Sequence, residues 1–126
     1  MVDDDSEIAA LVSAVLSSEG YEIDVVGTAR ECFLLLEDAA KRPALIVLDV
    51  MLPDLDGFQT LGRLRAATTT AAIPVILLST LEGKSYRKRA EEKGAAAYLT
   101  KPFEPAVLLE TVRRASAGPA GRPRPA

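Results

Sequence analysis

The chain has 126 residues, enough for one domain, and its 48% hydrophobic and 26% charged content is that of a soluble globular protein. A net charge of −3 argues against a nucleic-acid surface, and the absence of His together with a single Cys (Cys32) removes the usual zinc, haem and disulfide chemistry. No apolar run approaches the ~20 residues of a membrane span and no signal peptide is visible, so a cytoplasmic location is expected, and any metal should be a hard, oxygen-liking ion.

Ile8, Leu11, Val12, Val15 and Leu16 recur at helical spacing, and Gly20 closes that helix. Tyr21 to Val26 alternates apolar and polar residues, the pattern of an edge strand wetted on one face. Thr28-Ala29-Arg30-Glu31 reads as a capping box opening a helix with Ala29, Cys32, Phe33 and Leu36 inward. Leu45-Ile46-Val47-Leu48 is an unbroken apolar run ending at Asp49, as expected of a strand buried on both faces. Pro53 and Gly57 punctuate the following loop, and Phe58, Leu61 and Leu64 mark the next helix.

A second buried run, Val75 to Leu78, follows Pro74 and ends at Ser79-Thr80. Lys84 to Lys93 reads as a polar helix stopped by Gly94, and Ala97-Tyr98-Leu99 as a short strand before Lys101-Pro102. Val107, Leu108, Thr111, Val112 and Ala115 line the last helix. One domain is expected over 1–117, with 118–126 a disordered Pro/Arg-rich tail or the start of a linker. With no Trp, three Phe and three Tyr, the core must be aliphatic, which suits a parallel sheet between helices.

Alternating strands and helices imply an α/β fold with right-handed crossovers, whose site lies beyond the carboxyl ends of the strands. That rule gathers Asp49, Ser79 and Lys101, joined by Asp3 and Asp4 if Met1-Val2 is the tail of a first strand. Three carboxylates and one ammonium leave a charge that Mg²⁺ would neutralise. A carboxylate can also be a nucleophile, forming an acyl phosphate whose charge a metal and a lysine would screen.

Val2-Asp3-Asp4-Asp5, the run from Leu45 to Phe58 with Asp49-Val50-Met51-Leu52-Pro53 at its centre, Pro74 to Ser79, and Tyr98-Leu99-Thr100-Lys101-Pro102-Phe103 together resemble bacterial response-regulator receivers. The resemblance runs from Val2 to about Arg114 and implies a flavodoxin-like (βα)5 sandwich with parallel sheet order 2-1-3-4-5. It implies that Asp49 is the phosphoacceptor in a two-component phosphorelay, supplied by a histidine kinase or phosphotransfer protein. Mg²⁺ would be held by Asp4 directly, Asp3 mainly through water, Asp49, and the Met51 backbone carbonyl. Ser79 would be the switch hydroxyl, Lys101 the phosphoryl partner, Tyr98 the aromatic that changes rotamer, and Lys101-Pro102 a cis peptide. Such a module phosphorylates and dephosphorylates only itself and signals to a partner or output domain.

Several features depart from the pattern. Only Met1 and Val2 precede the acidic pair where receivers carry several apolar residues, so a shortened first strand is expected, from a truncated piece or a misassigned start. Thr80 stands where the family has Ala or Gly and is expected to narrow access to Asp49. Met51-Leu52-Pro53 resembles the winged-helix DNA-binding subgroup, which dimerises through its fourth helix, fifth strand and fifth helix, yet Ala96 and Ala97 replace the acids of that face. The 126 residues hold no room for an effector domain, so either a stand-alone receiver or a piece cut from a longer protein at the Pro/Arg-rich tail is expected.

Other residues have plainer readings. Asp5 is expected to cap the first helix, Asp54 and Asp56 to be turn acids (Asp54 a minor alternative acceptor), and Cys32 to lie in or near the core. Arg87-Lys88-Arg89 reads as a solvated helix face or a partner-docking patch. Two rival functions share the fold signals: a receiver-like interaction module without phosphorylation, and an aspartyl-nucleophile phosphatase of the haloacid dehalogenase type. The second wants an acid two residues after its nucleophile, where Met51 stands.

Overall fold

Val75–Ser79 (β2) forms the middle of a three-stranded parallel sheet, between Ile46–Asp49 (β1) and Ala97–Thr100 (β3). The structure, a computed structural model, describes residues 1–117; the tail expected over 118–126 lies outside the described residues. Both apolar runs become strands because every residue of β1 and β2 is buried, so neither strand has a polar face to alternate. In register, Ile46 pairs with Val75 and Asp49 with Leu78, while Ser79 pairs with Thr100. This alignment brings the carboxyl ends of all three strands to one edge.

Among the described residues five α-helices cover the sheet: Ser6–Ser17 (α1), Ala29–Glu37 (α2), Gly57–Ala66 (α3), Lys84–Glu92 (α4) and Pro105–Ala117 (α5). The strand pleat divides the core between two faces. Ile46, Leu48, Val75 and Leu77 pack with Cys32 and Leu36 of α2, with Phe58, Leu61 and Leu64 of α3, and with Ala90 of α4. Val47, Ile76 and Leu78 meet Val12 and Leu16 of α1 and Leu108 and Val112 of α5. The result is a helix–sheet–helix sandwich, and no described helix is long and apolar enough to cross a membrane.

The strand expected over Tyr21–Val26 is not formed. Val26 alone pairs, through a single bridge to Val2, which itself bridges Leu48 on its other side. Those bridges carry four backbone hydrogen bonds of 2.8–3.0 Å, Val2 N to Val47 O, Asp3 N to Val26 O, Val26 N to Met1 O and Asp49 N to Val2 O. A strand needs a continuous backbone partner, and alternation from Tyr21 to Val25 supplies side chains but no such partner. Beside that segment lies a cavity of about 430 Å³ lined by Met1, Ile23, Leu36, Ile46 and Val112 among others. Read through these bridges, the order is Val26, Val2, β1, β2, β3, which is the expected 2-1-3-4-5 with its first two members reduced to single pairings.

Candidate functional site

Asp49 is the last residue of β1 and only 4% exposed. Its Oδ1 accepts a 3.1 Å hydrogen bond from Lys101 Nζ, which also donates to Asp3 Oδ2 at 3.1 Å. Lys101 reaches both acids from just beyond β3, with its own backbone N–H bonded to the Ser79 carbonyl at 2.7 Å. The Lys101–Pro102 peptide is cis. Carboxylate oxygens of Asp3, Asp4 and Asp49 all lie within 4.8 Å of one another.

The two acids of the pair are placed differently. Asp3 is buried, and both its oxygens are engaged, Oδ1 by the Asp5 N–H at 2.9 Å and Oδ2 by Lys101. Asp4 is exposed. Asp5 is the N-cap of α1, accepting from the backbone N–H groups of Glu7 and Ile8.

Burial pushes the Asp49 carboxyl above the usual carboxylate range, and the nearby Asp3 charge adds to the rise, against the opposing pull of Lys101. Burial alone would lower the Lys101 ammonium, but its bonds to Asp3 and Asp49 outweigh that and raise it. The cluster is therefore an electron-rich pocket holding one fixed cation, with more negative charge than that cation balances. Its donors are oxygens only, at separations one small cation can bridge, so the set fits Mg²⁺.

The loop after β1 is pinned at its base. The Gly57 N–H donates to Val50 O at 2.7 Å, and a Cβ on Gly57 would stand 2.7 Å from Asp49 O and Val50 Cα. Only glycine permits that approach. Met51, just inside the loop, turns its side chain outward, 60% exposed.

Ser79 ends β2 fully buried, and its Oγ accepts from the Leu81 N–H at 2.9 Å. The Leu81 carbonyl in turn accepts a 2.6 Å bond from the Tyr98 hydroxyl. Tyr98 is thus inward, 7% exposed, and the Leu81 peptide is held between the two side chains. Thr80, between them in sequence, is exposed.

Asp54 departs from its sequence reading, and the basic cluster on α4 adds contacts to its own. Asp54 is no simple turn acid: its carboxylate accepts from Ala29 N at 3.0 Å and Arg30 N at 2.9 Å, capping α2 across 25 and 24 residues of sequence. Those bonds hold its carboxyl below the usual range, the Arg30 N–H foremost. The basic cluster on α4 is exposed at all three residues, as a solvated face would be, and two of them also make contacts. Arg87 donates to Tyr98 O at 3.1 Å and Arg89 lies 4.2 Å over the Phe58 ring. No local pattern announces either arrangement, since the partners come from distant elements.

Residues 1–113 match the family profile of the response regulator receiver domain. Over 114 residues, 90% of this chain, the sequence is 40% identical to the response regulator PleD of Caulobacter vibrioides and 40% identical to the transcriptional regulatory protein HprR of Escherichia coli. The chain spans 24% of the length of PleD and 48% of that of HprR. Its structure superposes on that of the Vibrio cholerae chemotaxis response regulator CheY4 with a TM-score of 0.83, at 31% identity, covering 90% of this chain and 93% of that one.

Proposed function

Since the chain belongs to the response-regulator receiver domain family of two-component systems, we propose that it accepts a phosphoryl group on Asp49 and changes its surface in response. The observation that carries this reading is the shared ammonium: Lys101 lies 3.1 Å from both Asp49 and Asp3, in a pocket whose third carboxylate, Asp4, is open to solvent. Receiver domains are signalling modules, and the donor here would be a sensor histidine kinase or a phosphotransfer protein in the cytoplasm.

In the proposed step an Asp49 carboxylate oxygen attacks phosphorus, the bond from phosphorus to the donor's imidazole nitrogen breaks, and the electron pair leaves on that nitrogen. The product is an acyl phosphate. Hydrolysis reverses the occupancy, with water attacking phosphorus and Asp49 leaving as a carboxylate. Mg²⁺, held by Asp4, Asp49 and the Met51 carbonyl with Asp3 behind them, would supply charge neutralisation on the transferring group. Lys101 is already directed at Asp49 and would follow the phosphoryl oxygens as they form.

The phosphoryl group brings a charge of about −1.5 to −2 and oxygens that need donors. Ser79 is the buried hydroxyl available at the adjacent strand end, and its Oγ now holds Leu81 N–H. Drawing Ser79 inward would free Leu81, and with it the carbonyl that holds the Tyr98 hydroxyl. The chemistry at Asp49 would thereby reach α4, β3 and α5, the face through which a partner or a second copy would read the state. Ala96 and Ala97 give that face no acids for ionic bridges between copies. Thr80, exposed at the mouth, would slow phosphoryl exchange by its bulk, and Thr80→Ala should shorten the phospho-lifetime.

The test is incubation of the chain with acetyl phosphate and Mg²⁺, followed by intact mass. A single phosphoryl adduct that is absent from Asp49→Asn is expected. A folded chain that gains no adduct would overturn the reading.

A further inference from the structure

The loop from Val50 to Asp56 is fastened at its base by Val50 O and Gly57 N, 2.7 Å apart. Among the side chains of residues 51–55, Asp54 alone hydrogen-bonds to another element, and it does so twice, to the first two N–H groups of α2. The third N–H of that helix, Glu31, is taken by Thr28. Asp54 and Thr28 therefore divide the orphan donors of one helix start, one from within the helix's own approach and one from across the site.

The same helix start lies next to the acidic pair. A Cβ on Gly27 would stand 4.0 Å from the Asp4 Cα. Asp54 therefore fastens the start of α2, which follows Gly27 beside Asp4, to the loop that carries Met51. Its carboxylate is acceptor-only and negatively charged at a helix amino end, where the aligned peptide dipoles favour an anion.

We propose that Asp54 is a positioning residue for the divalent-metal site: by clamping the loop of Met51 to the start of α2, it sets where the Met51 carbonyl faces Asp3, Asp4 and Asp49. This rests on reading the acidic cluster as a Mg²⁺ site. Outer partners that orient metal ligands have large effects on affinity when removed. Asp54 would act in that way through the backbone rather than through a ligand side chain.

Calorimetric titration with Mg²⁺ tests this without any phosphoryl chemistry. Asp54→Ala should weaken the Mg²⁺ dissociation constant roughly tenfold. Asp54→Asn, which keeps one acceptor oxygen at the helix start but loses the charge and turns the second acceptor into a donor, should weaken it by less, about threefold. Thr28→Ala removes the other cap of α2 and leaves the loop fastened, so its affinity should match the unaltered chain. Hydrogen exchange at the Ala29 and Arg30 amides reports independently whether the clamp has opened. An affinity unchanged in Asp54→Ala while those amides exchange faster would overturn the positioning role, and so would an equal loss in Thr28→Ala. Failure of the unaltered chain to bind Mg²⁺ at millimolar concentration would overturn the metal reading itself, a result distinct from either.

Discussion

β1, β2 and β3 are joined by continuous parallel ladders, with Ile76, Leu77 and Leu78 fully buried between the helical layers, whereas Val2 meets Val26 and Leu48 through single bridges beside a cavity of about 430 Å³. The candidate site draws on both regions. Asp49, Ser79 and Lys101 come from the ladders, while Asp3 and Asp4 hang on the bridges. Asp49, the proposed phosphoacceptor, and its cationic partner are thus set by the continuous part of the sheet. The acids proposed to bind the metal depend on a few backbone hydrogen bonds and on the Asp3–Lys101 pair. The contrast teaches that occupancy of the acidic cluster and order at the amino end should be linked, because a ligand that binds only the ordered arrangement stabilises it.

Core truncation gives the largest test of this contrast. Leu77→Ala, in the middle of β2, should destabilise by about 3 kcal/mol, and Ile23→Ala, beside the cavity, by under about 1.5 kcal/mol, both read by urea unfolding. Equal losses would break the distinction between the two regions. Next in size is Gly57→Ala. Its Cβ would meet Asp49 O and Val50 Cα at 2.7 Å, so a loss of about 2 kcal/mol is expected, with shifted amide resonances from Val50 to Asp56. A neutral substitution would mean the loop base is softer than its packing implies.

A smaller effect is expected at the ion pairs that couple the regions. Lys101→Met leaves Asp3 and Asp49 facing each other without their shared cation, at a cost of roughly 1–2 kcal/mol near neutral pH. The same variant should show earlier loss of protection at the Val2 and Asp3 amides in hydrogen exchange. Uniform change along the sheet would argue against a weak amino-terminal half.

Smallest is a gain in stability from Asp49→Asn at neutral pH. The sign follows from the raised Asp49 pKa, whose chief cause is burial. The folded state holds that proton more tightly than the unfolded chain, so the associated stability is full below the ordinary carboxylate pKa of about 3.9 and is lost as pH rises through the elevated value. Replacing the carboxylate removes that loss. The difference between the two proteins should close as pH falls through this window, and a gap that persists at low pH would contradict the assignment.

How legible these features are in the sequence follows the same division. β1 and β2 are plain because burial on both faces produces unbroken apolar runs, and the residues that end them, Asp49 and Ser79, are plain for the same reason. Tyr21–Val26 has the composition of a strand, but alternation reports only which face is wet and says nothing about whether a neighbour is present. Helix starts show a comparable limit. Thr28 accepts from Glu31 N as expected, yet the reciprocal capping box occurs at Asp56 and Gln59, a spacing as visible as that of Thr28 and Glu31 but obscured by the turn residues around it. The cap made by Asp54 and the contacts of Arg87 with Tyr98 and of Arg89 with Phe58 were beyond local reading, since each depends on an element brought near only by folding.

Both regions meet at Asp49, and the most direct test of the account is to locate the phosphoryl group there. After acetyl phosphate and Mg²⁺, borohydride reduction of the acyl phosphate converts the modified aspartate to homoserine, which peptide mass spectrometry can place. Homoserine at position 49, and at no other acid, is the predicted result. Homoserine at Asp54, Asp3 or Asp4 with position 49 unmodified, or none at all in a folded sample, would contradict it.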